Sequence, residues 1–324
     1  MLEQLKARAE EASAERIFPG CVIGLMRDDE QLILPFGTLA YGEEIVRSDT
    51  VYDLASVTKS IPTASLALLL IEDGMIALND SVKKYIPELA NDYGATIEDL
   101  LRYRVRGIRM STLPFSSFEE VRTAIFESGF TAPPGESSYT NLPAFLIGIV
   151  LERVTGASLA ALADERLFGP LEMRATTFFP TASDCSPTEI DTRGEVKGLP
   201  HDESAYKFAA ARRTVGHAGL FSTADDLLTY AKHLLGDPDS AIVRGARSGL
   251  GWTRNESFFM GKLARAEVFG KTGFTGASIV IDIERQLALV ILSNRTYPKR
   301  PADAAETTSA VNHFRSEIAD IVSA

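Results

Sequence analysis

Residues 50–59 read Thr50-Val-Tyr-Asp-Leu-Ala-Ser-Val-Thr-Lys59. Thr50 to Ala55 is a short extended segment. From Ser56 to Asp73 the pattern turns helical, with Leu66, Leu69 and Leu70 as core candidates and Gly74 as a natural stop. A serine therefore opens an apolar helix, where backbone N–H groups favour developing negative charge, and a lysine follows three residues on. On a helix that spacing puts the amine on the serine's face, about 5–6 Å away at Cβ. A serine hydroxyl is a weak nucleophile without a base beside it, and a lysine serves as that base when burial and neighbouring cations lower its pKa. Two further copies of the spacing, Ser81/Lys84 and Ser204/Lys207, open no comparable buried helix. Pro62 lacks the N–H that the second turn after Ser56 needs and is expected to disturb it.

Outward from this stretch, the two chain ends read as sheet and the middle as helix. A charged amphipathic helix at the N-terminus is followed by strand Cys21–Met26, a turn at Asp28-Asp29 and strand Gln31–Leu34. Near the other end, 276–283 and 286–292 flank Glu284-Arg285 as a hairpin. An amphipathic helix then runs from Pro301 to Ala324, carrying Val311, Phe314, Ile318 and Ile321. Between them lie helix starts at Thr96 and at Ser117, the latter with a capping-box glutamate at Glu120, and helices over 142–154, 158–167 and 223–235. Residues 180–216, rich in Thr, Ser, Pro, Gly and charge, read as a long ordered loop over the surface. The expected fold is α+β: one antiparallel sheet flanked by helices from both chain ends, with a mainly helical insertion. Residues 1–55 and 217–324 form the sheet subdomain and 56–216 the helical one, with a cleft where the two meet.

The 324 residues carry a net charge of −11, with 45% hydrophobic and 24% charged residues. That balance excludes disorder and argues against nucleic acid, which selects a basic face. The longest apolar stretch, from Ala64 to Ile71, is far short of the ~20 residues of a membrane span. The N-terminus does not read as a secretory signal, so the expectation is a cytoplasmic chain, or a secreted one whose signal has been removed. Two cysteines, Cys21 in an apolar run and Cys185 in a loop, cannot organise a disulfide framework. The four histidines are scattered, so no metal or organic cofactor is expected. Gly270-Lys-Thr272 lacks the first glycine of a phosphate loop, since position 265 is Arg265.

Two more stretches carry chemistry. Tyr139-Thr-Asn141 follows the turn Pro133-Pro-Gly135 and precedes a buried helix. A phenol relays protons, and an asparagine amide can hold a substrate carbonyl. Lys271-Thr-Gly273 begins a strand and offers a fixed cation, a hydroxyl and a glycine that lets a substrate backbone approach. The order of serine-lysine, tyrosine-asparagine and lysine-threonine-glycine resembles the serine β-lactamase and penicillin-binding-protein superfamily, in its class C-like branch with D,D-peptidases and family VIII esterases. Matching stretches are Tyr52–Lys59, Pro133–Asn141, Gly216-His-Ala-Gly-Leu-Phe-Ser-Thr-Ala224, Gly270–Gly276 and Leu292-Ser-Asn-Arg295, spread over nearly the whole chain.

The resemblance implies a serine hydrolase. Ser56 is the expected nucleophile, and Lys59 and Tyr139 share the base and acid work. The backbone N–H groups of Ser56 and Phe274 form the oxyanion hole, Asn141 holds a substrate amide, and Lys271, Thr272 and Gly273 bind substrate. The expected partner is a small-molecule or peptide substrate, probed as a carboxylate-bearing amide (β-lactam or D-Ala-D-Ala-like) or as an ester of the family VIII type. A non-catalytic ligand-binding member of the fold is the remaining alternative. Where many relatives carry His-Thr-Ser-Gly, this chain has Arg102-Tyr-Arg-Val-Arg-Gly-Ile-Arg109, either a solvated face or a cationic rim to the cleft. His217 is expected to be a structural histidine beside a tight turn, and His201-Asp202 a loop staple.

Overall fold

Gly20–Arg27 is buried at every position but the last, which requires cover on both faces of the sheet it joins. The computed structural model supplies it. The structure describes residues 1–28, 30–114, 117–300 and 304–323, with the side chains of the last helix from Thr308 onward. Alternation along the strands divides their side chains between two cores. Val22 and Met26 join Ile279, Ile281, Val290 and Leu292 in one. Cys21, Ile23 and Leu25 join Val280, Leu289 and Ile291 in the other.

The sheet has six strands, in the order Glu30–Gly37, Gly20–Arg27, Leu287–Ser293, Ser278–Asp282, Phe269–Thr272, Thr253–Arg254. Every neighbouring pair is antiparallel. Strands from the two chain ends meet at its centre, where Cys21 faces Ser293 and Ile23 faces Ile291. The terminal helices, Leu2–Ala14 and Ala304–Ser323, cover one face through Leu5, Ala9, Phe314 and Ile318. Helix Ala224–Gly236 covers the other with Leu227, Leu228 and Ala231, and beyond it lies the helical region that includes Leu142–Thr155. The α+β reading with a sheet built from both ends is the observed architecture. The turn at Asp28-Asp29 and the extremes of the Pro301–Ala324 helix fall partly outside the described residues. Among the described residues no single helix is long and apolar enough to cross a membrane.

Two expectations are corrected. The helix over 56–73 is not continuous. Ala55–Lys59 is a 3₁₀ turn, Ile61 is extended at φ −117°, ψ 111°, and the α-helix proper is Ser65–Glu72. Pro62 is the cause: it disfavours helical backbone at the residue before it and lacks the N–H of a helix interior. The stretch 180–216 is not all loop. It contains a small ribbon, Glu189–Asp191 against Gly194–Val196, and a helix, Glu203–Ala209, capped by Asp202. The short helix hides from a periodicity reading because its seven residues make only about two turns, too few to establish a period. Both cysteines are buried and unpaired, and burial pushes the Cys185 thiol up to about 12.

Candidate active site

The break after Lys59 shapes the site. A 3₁₀ turn has three residues per turn, so positions i and i+3 eclipse. Lys59 therefore stands directly on Ser56, with Nζ donating to Ser56 Oγ at 2.8 Å and to the His217 carbonyl at 2.8 Å. Its side chain is buried. The turn is entered through Ala55, whose φ of +45° lies in the left-handed region, a conformation that only surrounding contacts sustain. The buried Asp53 carboxylate supplies one, accepting from the Ala55 N–H at 2.8 Å and from the His201 N–H at 2.7 Å.

Tyr139 and Lys271 close on the same point. Lys59 Nζ lies 5.3 Å and Lys271 Nζ 4.9 Å from the centre of the Tyr139 ring, and the Tyr103 ring stands 5.4 Å from it. Burial pushes the Tyr139 phenol up, but the Lys59 and Lys271 ammoniums, with hydrogen bonds to Ser56 and Lys59, outweigh it and hold the phenol below its ordinary value. The side chain is 56% exposed to the cleft, which limits the opposing effect of burial. Alcohol, amine and phenol thus meet, as the sequence predicts for Ser56, Lys59 and Tyr139. The other two serine-lysine pairs do other work. Ser81 caps a short helix while Lys84 pairs with Asp80 at 2.9 Å. Lys207 reaches the Leu113 carbonyl, away from Ser204.

Lys271 is buried between two rings, with the Tyr103 centroid also at 4.9 Å. Burial, with Lys59 nearby, depresses its amine against the pull of Tyr139. A lysine depressed in the fold makes the charged form costly, so wild-type stability gains as pH rises through the folded value toward the ordinary 10.5. Lys271→Met is expected to remove that part of the pH dependence and to raise Tm at neutral pH by a few degrees, at about 2–4 °C per kcal/mol. It is also expected to lower kcat/KM on carboxylate-bearing substrates about 10²-fold. Thermal unfolding across pH, with steady-state kinetics, checks both; a lower Tm together with an unchanged pH profile would refute the assignment.

Gly273 is required by the protein's own packing. A Cβ there would stand 2.3 Å from the Leu54 carbonyl oxygen, so the glycine lets the Lys-Thr-Gly strand lie against the nucleophile segment. The peptide groups on either side of Phe274 are each held by an arginine. Arg315 Nη2 donates to the Gly273 carbonyl at 3.0 Å, and Arg295 Nε donates to the Phe274 carbonyl at 2.5 Å. Because the Gly273–Phe274 peptide is planar and trans, anchoring the Gly273 carbonyl on Arg315 aims the Phe274 N–H the opposite way. The Phe274 ring stacks on His201 at 5.6 Å.

Asn141 is not free to swing. Its amide donates to Asp202 Oδ2 at 3.1 Å. Asp202 also accepts from Ser204 Oγ at 2.6 Å and from the Ser204 and Ala205 N–H groups at 3.0 Å. Ser204 Oγ lies 2.8 Å from His217 Nε2, and His217 Nδ1 is buried without a partner. Burial drives the His217 imidazole down against the pull of Asp202, leaving a neutral ring that donates from Nε2. Asp202 stays ionised: burial opposes this, but His217, Ser204 and the Ala205 N–H hold the carboxyl well below its ordinary range. The loop dipeptide His201-Asp202 therefore joins the Asp53 turn, Asn141, Phe274 and, through His217, Lys59. It is a staple, as expected, and one that reaches several parts of the site.

Ser56, Tyr139, Lys271, Thr272, Gly273 and Phe274 line one cleft of about 610 Å³, together with Arg295, Asn312 and Arg315. Sequence reasoning missed the last three as site residues. Arg315 is buried in the final helix, and burial beside Arg295 pushes its guanidinium down to about 9, still a cation at neutral pH. Asn312 Oδ1 accepts from its Nη1 at 2.7 Å. The readable signal was a polar pair three residues apart on the face that carries Val311 and Phe314.

A sequence model of the family described as Beta-lactamase matches residues 5–312. A putative D-alanyl-D-alanine carboxypeptidase of Escherichia coli (strain K12) is 28% identical over 307 residues, 76% of this chain and 70% of that protein. A crystal structure of a beta-lactamase/D-alanine carboxypeptidase from Pseudomonas syringae superposes with a TM-score of 0.74 at 18% identity, covering 97% of this chain and 98% of the other. The structure of EstCE1, described as a hydrolase with promiscuous acyltransferase activity, superposes at 0.72 and 18% identity over the same shares, 97% and 98%. At such identities the superpositions show a common fold.

Proposed function

The chain belongs to the Beta-lactamase family and is a serine hydrolase of it, and from that premise we propose that Ser56 forms an acyl-enzyme with small amides that carry a carboxylate. One observation carries the reading: Ser56 Oγ, 2.8 Å from Lys59 Nζ, opens on a cleft whose wall presents Lys271, Arg295 and Arg315.

Ser56 Oγ attacks the carbonyl carbon while its proton passes to the Lys59–Tyr139 pair, with either group in its basic form as the acceptor. The tetrahedral oxyanion takes hydrogen bonds from the N–H groups of Ser56 and Phe274, a hole supported by the anchored Gly273 and Phe274 carbonyls. The C–N bond breaks as the pair returns the proton to the leaving nitrogen. Water then attacks the ester, losing its proton to the same pair, and Ser56 is released. Asn141, its amide fixed by Asp202, holds the acyl-side amide. Lys271 and Thr272, backed by Asn312 and Arg315, hold the carboxylate.

An ester reading has an observation of its own in the aromatic wall of Tyr103, Trp252 and Phe258, the last 44% exposed. The test is incubation with a fluorescent penicillin, an acyl-D-Ala-D-Ala peptide and a p-nitrophenyl ester, with intact-mass measurement. A penicilloyl adduct on the Ser56 peptide, with release of D-Ala, is the expected result. Ester turnover without adduct or D-Ala release transfers the protein to the esterases, and no reaction with any probe removes the catalytic reading.

A further inference from the structure

The cleft does not end at the catalytic groups. Beyond Tyr103 its lining continues to Arg102, Ser137, Gly249 and Arg254. Past Arg102, Ser137 and Gly249 it runs on into an outer hollow of about 540 Å³ that also touches Arg104 and Glu136. The stretch 102–109 is therefore divided: Arg106 is exposed to solvent, while Arg102 and Arg104 rim the continuation of the cleft.

Gly249 is the centre of this end. It sits at φ +75°, and a Cβ on it would meet only Arg102 Nη1 and Arg254 Cδ, each at 3.8 Å. Two arginine side chains thus flank one bare stretch of backbone. Each is pinned but not used up. Arg102 donates from Nε to Glu98 at 2.6 Å and from Nη1 to the Ser248 carbonyl at 2.7 Å. Arg254 donates from Nε at 3.3 Å and Nη2 at 2.8 Å to the Ala266 carbonyl. A guanidinium has five N–H donors, so these bonds, the ones recorded among the described residues, leave about three on each. Arg254 makes its bonds to a carbonyl, not to a carboxylate, and keeps its charge for a ligand. Against Arg102, Arg254, Lys271, Arg295 and Arg315, one carboxylate, Glu256, lines the main cleft. This is a cationic trough in a chain of net charge −11, and a recessed trough focuses the field onto an anion.

We propose that Arg254 and Arg102, around Gly249, form a second anion subsite, so that the preferred substrate is an acidic acyl-amino acid or short acidic peptide with two carboxylates. One is held at Lys271 and Arg315 and the other at Arg254 and Arg102. The proposal rests on the hydrolase reading above and specifies its substrate class.

Two matched pairs of substrates test it from either side of the scissile bond: N-succinyl- against N-acetyl-D-Ala-D-Ala, and N-acetyl-D-Ala-D-Glu against N-acetyl-D-Ala-D-Gln. In the wild type at low ionic strength, the acidic member of at least one pair is expected to have a kcat/KM about tenfold or more above its neutral partner. In about 0.5 M salt that ratio shrinks toward one. Arg254→Gln lowers the ratio at least fivefold, Arg254→Lys retains part of it, and Glu256→Gln raises it. Thermal unfolding confirms that each variant is folded. Ratios within twofold of one in both pairs, or a ratio untouched by Arg254→Gln, overturn the subsite while leaving the hydrolase intact. If the wild type cleaves none of the four and forms no adduct with penicillin, the reading as a hydrolase of carboxylate-bearing amides falls and the subsite with it.

Discussion

Ser56→Ala is expected to lower kcat about 10⁴- to 10⁶-fold on every substrate the wild type turns over, with Tm nearly unchanged. The size follows from what is lost. Without Oγ no acyl-enzyme forms, and the amine and phenol that remain can assist water alone. Nucleophile and base act as a unit, so a Ser56→Ala/Lys59→Met double variant should be scarcely slower than Ser56→Ala alone. The labelled band left by a fluorescent penicillin should vanish with Ser56, whereas Ser81→Ala keeps both label and rate, since Ser81 caps a short helix and bonds Asp92. Residual activity above a tenth of wild type in Ser56→Ala, after exclusion of contaminating hydrolase, would sink the assignment.

The second large effect belongs to Lys59. Lys59→Met should cost about 10³- to 10⁴-fold in kcat/KM, near the upper range for a positioned proton-transfer group. Its diagnostic is the pH profile. A cation beside a phenol stabilises the phenolate and lowers its pKa, and Lys59 is the larger of the two cationic influences on Tyr139. In the wild type the phenolate therefore appears at a pH below the ordinary tyrosine value of 10. In Lys59→Met the same titration should move up, read either as the phenolate ultraviolet absorbance or as a limb of kcat/KM. In Tyr139→Phe this limb should be absent. A Tyr139 titration at the same pH with and without the lysine contradicts the contact on which the mechanism stands. Lys59→Arg offers a control that keeps the charge but not a removable proton: the phenol should stay depressed while the rate is still lost, separating the lysine's field from its proton transfer.

Much of the site is legible along the chain because it is local. Ser56 and Lys59 are one turn apart, Thr96 and Ser117 cap the helices that follow them through capping boxes, and the two-core alternation in Gly20–Arg27 and Leu287–Ser293 appears as apolar runs. Pro62 was legible as a fault in the helix, but the 3₁₀ turn Ala55–Lys59 that drops the amine onto the serine was not. What stayed hidden needs a third dimension. That Gly273 is also needed for the Lys-Thr-Gly strand to lie against Leu54 shows only in the fold. Asn141 looks like a free amide until Asp202, 61 residues away, takes its N–H. Asn312 and Arg315 look like the polar edge of an amphipathic helix until that helix is laid on the end of the Lys-Thr-Gly strand.

By itself, then, the sequence determined the α+β pattern, the strand faces, the caps and the serine-lysine turn, because each depends on interactions within a few residues or on a simple period of hydrophobicity. Only the tertiary structure decided how that pair is armed. That depends on a carbonyl 158 residues from Lys59, on Lys271 brought to Tyr139 by strand Phe269–Thr272, and on a loop dipeptide that holds Asn141, Phe274 and the Asp53 turn. Charges and hydrogen bonds act through space, and the distances that set their strength are a property of the folded chain.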